Sequence, residues 1–88
     1  MKIKEGFVLH EVADAWLVFS VGSATVDFNS IIKLNESGVL LWRALEQNCD
    51  RDFLINVLLD EYEINNKTAA SDVDEFIEKL IRVGCIDL

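Results

Sequence analysis

The apolar residues of this chain change their spacing once, near Asn35, and that change constrains the fold more than any other feature. Before it they come in short, β-rich runs. After it they recur at the three-and-four spacing of amphipathic helices. Residues 6–12 (GFVLHEV) read as a first strand, and Ala13 with Asp14 can turn tightly into a second over residues 15–21. Gly22 and Ser23 break that strand, and a looser stretch through Asp27 and Asn29 leads to a third over residues 30–34. Connections this short favour an antiparallel meander, with the first and third strands at its edges.

Asn35 can cap a first helix, its side-chain oxygen accepting an orphaned backbone N–H, and Glu36 suits the positive end of the helix dipole. Val39, Leu41, Trp42 and Leu45 mark its buried side, with an end expected near Gln47. Asp50 caps a second helix carrying Phe53, Leu54, Val57, Leu58 and Tyr62 at helical spacing. Asn65, Asn66 and Lys67 read as a polar break, after which Thr68 or Ser71 caps a third helix. Val73, Ile77, Leu80 and Ile81 form its expected core stripe, while Phe76 and Val83 fall on an adjoining stripe with Asp72 and Lys79. Gly84 stands where a left-handed terminal residue is wanted, and residues 85–88 fold back as a tail. With no repeat and no linker, residues 1–88 read as one domain. The expected class is α+β: a three-stranded antiparallel β-meander followed by three helices, winged helix-turn-helix-like in layout.

The chain is 51% hydrophobic, too apolar for disorder, yet its uncharged apolar runs fall short of the ~20 residues a bilayer requires. No secretory apolar region fits behind the first residues, so a cytoplasmic location and no membrane partner are expected. Sixteen acids against eight bases give a net charge of -8. Such a surface repels phosphate backbones and favours a basic peptide or protein face. The two helices that could enter a DNA groove are both net acidic: residues 50–63 carry five acids against Arg51. Nucleic acid is therefore not an expected partner, and a winged-helix regulator is the weakest reading.

Catalysis finds no support either. The four glycines are scattered, so phosphate- and dinucleotide-binding loops are absent, as is a G-x-S-x-G elbow. Cys49 and Cys85 have no second cysteine nearby and His10 is the single histidine, which leaves no metal site and no expected cofactor. What stands out instead is a surplus of apolar side chains. The second strand is apolar on both faces, Trp16 and Val18 on one, Leu17, Phe19 and Val21 on the other. A half-solvated antiparallel sheet normally alternates, so either helices wrap an edge or apolar surface is left for a partner. A binder, not an enzyme, is expected.

Two stretches carry a resemblance. IIKLNESGVLLW at residues 31–42 resembles the strand-to-helix junction of the coenzyme PQQ synthesis protein D (PqqD-like) family, and DVDEFIEKLIRVGCI at residues 72–86 is similar to its closing helix. The resemblance implies a peptide-recognition module for ribosomally synthesised, post-translationally modified peptides. It implies that the leader segment of a precursor peptide adds as a strand beside the third strand and the third helix. The module would then present the precursor to a maturation enzyme, such as a radical SAM protein. Carried onto this chain, the strand side is Ser30, Ile31, Ile32, Lys33 and Leu34, and the helix side is Asp72, Glu75, Phe76 and Lys79. An edge strand has N–H and C=O groups that an added strand satisfies, so the mode is physically reasonable. The same edge can pair with a second copy of the chain, and a self-associating subunit without a peptide ligand is the alternative.

Overall fold

The computed structural model describes residues 1–20 and 32–88. In chain order the elements are β1 (Lys2–Ile3), β2 (Phe7–Val12), β3 (Ala15–Ser20), β4 (Ile32–Leu34), α1 (Glu36–Leu45), α2 (Arg51–Glu61), α3 (Asn66–Val83) and β5 (Ile86–Asp87). β2, β3 and β4 form an antiparallel sheet in that order, and the three helices follow it, the expected α+β arrangement. The turn from β2 to β3 uses the two residues between Val12 and Ala15, and Ala13 takes a left-handed φ of 55° to close it. The expected break at Gly22 and Ser23, and Val21, Ser30 and Ile31 of the expected strands, lie outside the described residues.

Register explains the double-sided apolar pattern of β3. Leu9, Val18 and Ile32 stand in one row, and Trp16 and Leu34 share their face, which turns to the helices. On that side Val18, Ile32 and Leu34 are buried with Leu41, Trp42 and Leu45 of α1, Leu54 and Leu58 of α2, and Val73 and Leu80 of α3. Trp16 is half-buried and carries the Arg43 guanidinium over its ring, 5.5 Å from the centroid. The cation covers an aromatic face that the core leaves open. The opposite face holds Val8, Leu17 and Phe19, all half-buried, with His10 edge-on to Phe19 at 6.2 Å between ring centres.

Caps fix where the helices begin. Asn35 Oδ1 accepts the Gly38 N–H at 2.9 Å and Asp50 Oδ1 accepts the Phe53 N–H at 2.8 Å, both as the sequence suggests. α3 departs from expectation. Asn65, not Thr68 or Ser71, caps it, its Oδ1 accepting the Thr68 N–H at 2.8 Å, so the supposed polar break is the helix's first turn. This start brings Ala69 into the core, and the buried stripe becomes Ala69, Val73, Phe76 and Leu80, at steps of four, three and four. Phe76 is thus a core residue, 8% exposed, while Ile81, expected inside, is 47% exposed. Phe53 of α2 is likewise outside, at 52%.

Gly84 ends α3 with a φ of 84° and donates its N–H to Ile81 O at 3.1 Å, while the Cys85 N–H reaches Leu80 O at 3.2 Å. These two bonds form a Schellman closure. The chain then enters β5, which pairs antiparallel with β1, Lys2 opposite Asp87 and Ile3 opposite Ile86. The folded-back tail is therefore a strand, and β1 is an element the sequence pattern did not suggest.

Candidate functional site

β4 has a strand neighbour on one side only among the described residues, namely β3. In an antiparallel ladder alternate residues turn their N–H and C=O away from the neighbour, so part of the backbone of Ile32, Lys33 and Leu34 faces outward along that edge. α3 runs near the same edge. Between them lies a groove of about 440 Å³ lined by Lys33, Leu34 and Asn35, by Ser37, Gly38 and Leu41 of α1, and by Asp72, Glu75, Phe76 and Lys79 of α3. Its apolar lining is Leu34, Leu41 and Phe76, all buried, and its charged lining is Lys33, Asp72, Glu75 and Lys79, all exposed.

Each wall follows from local sequence. On α3, Asp72, Glu75, Phe76 and Lys79 fall at three- and four-residue steps and so share one flank of the helix. Phe76 belongs at once to the core stripe and to this flank. The junction from β4 to α1 is tight because residue 38 has no side chain. A Cβ there would stand 3.2 Å from Asn35 Oδ1 and 3.3 Å from Leu34 Cβ. Gly38 is buried in the angle between strand and helix, and the first turn of α1 closes down on β4.

Of the nine residues expected to bind, six line this groove: Lys33, Leu34, Asp72, Glu75, Phe76 and Lys79. Ile32 lies on β4 with its side chain in the core. Ser30 and Ile31 lie outside the described residues. Asn35, Ser37, Gly38 and Leu41 complete the lining; from sequence Asn35 reads only as a cap and Leu41 only as core, and Ser37 and Gly38 carry no part of their own. Their role as a wall depends on α1 folding back over β4, which periodicity along one element does not reveal. A second hollow, formed by Asn35, Glu36, Ser37, Leu58, Tyr62, Ile64 and Asp72, shares Asn35, Ser37 and Asp72 with the first and continues it toward the end of α2. Partial burial, and then the charges of Glu36 and Glu61, push the Tyr62 phenol above its ordinary value.

Elsewhere Cys85 is fully buried, and desolvation raises its thiol to about 11. Cys49 is half-buried and raised for the same first reason. The N-terminal ammonium near Cys49 and Lys4 near Cys85 act the other way, but burial outweighs them, and a raised thiol is a poor nucleophile. Among the described residues no group of three or more His, Cys, Asp or Glu side chains could hold a metal ion, and no helix is long and apolar enough to cross a membrane.

A family model, coenzyme PQQ synthesis protein D (PqqD), matches residues 7–86. The chain belongs to the PqqD family. In fold, this PqqD-family chain is similar to a solved structure of TbiB1 in complex with the TbiA(beta) leader peptide. The TM-score is 0.74 at 21% sequence identity, and the alignment covers 99% of this chain and 100% of that one. No curated protein matches the sequence. The family match spans β2 to β5 and so contains both walls of the groove.

Proposed function

We propose that this PqqD-family protein is a recognition module for a ribosomally synthesised precursor peptide. It takes the leader segment as an added strand along β4, against α3, and presents it to a maturation enzyme. A radical SAM protein is the class of enzyme that the family resemblance implies. The single observation that carries the reading is the coincidence of an edge strand with a groove whose lining is apolar at the centre and charged around it. Main-chain hydrogen bonds along such an edge supply affinity with little dependence on sequence, and the side chains of the groove supply selection. The fold shared with TbiB1, a protein solved with a leader peptide bound, supports the same reading.

The module itself carries no step of the modification in this reading. Binding of a few main-chain bonds at a net ~0.5–1.5 kcal/mol each, with one or two apolar side chains, offsets the ~2–5 kcal/mol needed to order a leader. The balance leaves an affinity suited to a carrier that releases its cargo. The test is an amide-resonance titration of the full chain with the leader segment of a candidate precursor peptide, sought among the short genes near its own. Shifts concentrated in residues 32–38 and 72–79 are expected. Shifts confined to α2, or none at saturating leader, would discard the site.

A further inference from the structure

We propose that the groove reads charge by position: the segment it takes has a basic side chain at the Asp72 end, an apolar one over Phe76 and an acidic one at the Lys79 end. The proposal rests on the peptide-binding reading above and specifies the chemistry of the cargo.

The two ends of the groove differ in sign. Asp72 is the residue of α3 shared with the adjoining hollow, which also holds Glu36, so that end is acidic. Glu75 stands one turn further on and extends the acidic stretch. Lys79 follows seven residues after Asp72, about 10 Å along the axis at 1.5 Å per residue. The strand wall has the matching order. Asn35 lines both hollows, whereas Lys33, two residues earlier, lines only the first. The basic end is therefore made by Lys33 and Lys79, from two different elements. Buried Leu34, Leu41 and Phe76 lie between.

These charges face the groove and are not engaged in the ion pairs of the described residues, which are Arg43 with Glu46 and Arg51 with Asp74. An added strand turns every second side chain to the same face, so positions i, i+2 and i+4 look toward α3 together over about 13 Å. That span brackets the separation of Asp72 and Lys79 once the reach of a lysine stem is included. A base at one outer position, an acid at the other and an apolar residue midway then meet complementary neighbours. A cargo segment with one sign throughout meets a like charge at one end.

The probes are twelve-residue peptides selected from a random library against the full chain. The expected selection carries a base and an acid four residues apart with an apolar residue midway. For such a peptide Asp72→Lys and Lys79→Glu should each weaken binding about three- to fivefold at low salt, as one exposed charge pair allows. Reversing the facing charge on the peptide should restore it. Both variants lie at exposed positions of α3, and an unchanged amide spectrum verifies their fold. Peptides that shift β4 and α3 resonances yet bind both variants within twofold of the parent would overturn the charge reading alone. Peptides that map outside the groove, or no enrichment at all, would overturn the peptide-binding reading along with it.

Discussion

Gly84 and Cys85 stand side by side and owe their places to different physics. At φ 84° a residue with a Cβ is strained even though a Cβ on Gly84 would meet nothing within 4 Å. Gly84→Ala is therefore expected to lower stability by about 1 kcal/mol, purely through the backbone, as a shift in urea midpoint with unchanged slope. Cys85 is fixed by burial. Its folded thiol titrates at about 11, above the ordinary 9.0, so the protonated form is favoured in the fold. A raised value means that this contribution is complete below the ordinary thiol range and is lost as pH climbs from about 9 toward about 11. Urea midpoints followed across that window should fall, with a smaller fall for Cys85→Ala. In the native chain at pH 8, a thiol reagent should label Cys49 first and Cys85 only after unfolding.

Among the elements, α3 starts on a single side-chain cap. Asn65→Ala removes the acceptor of the Thr68 N–H and should cost about 1 kcal/mol in the same assay, whereas Thr68→Ala and Ser71→Ala should change stability far less. The pairing of Arg51 with Asp74, Nε to Oδ1 at 2.7 Å and Nη2 to Oδ2 at 3.0 Å, ties α2 to α3 at the surface. That hydrogen bond holds the Asp74 carboxyl below its usual range. This tie is complete above that range and is lost only as pH falls below it, through the lowered value. Element boundaries differed in how far they could be read from sequence. Asn35 and Asp50 stand four and three residues before Val39 and Phe53, the first large apolar side chains of their helices, so their capping was legible. Asn65 precedes an exposed polar turn, and the period counted back from Val73 reaches Thr68 or Ser71 before it reaches the true start. The same uncertainty of phase put Ile81 inside and Phe76 on a neighbouring stripe. β1 has two residues and a partner at the far end of the chain, so no local pattern could mark it. The groove lining was legible on α3, where spacing fixes the flank, and on Lys33 and Leu34. It was not legible on α1, which becomes a wall only after folding back over Gly38.

For the molecule as a whole, a net charge of -8 sets the long-range field that an approaching peptide meets. A leader of net positive charge should bind more weakly as ionic strength rises, with most of the change lying below about 0.15 M, where screening lengths exceed about 8 Å. Titration calorimetry at several salt concentrations measures it, and an affinity independent of salt would make the acidity a solubility device alone. Because Lys2 lies opposite Asp87 and Ile3 opposite Ile86, the backbone traces an almost closed ring. A ring has no privileged origin. A few linking residues between residues 2 and 87 close it, and it can be reopened at the exposed turn of Ala13 and Asp14, a circular permutation that keeps β4, α1, α2 and α3 in one uninterrupted stretch.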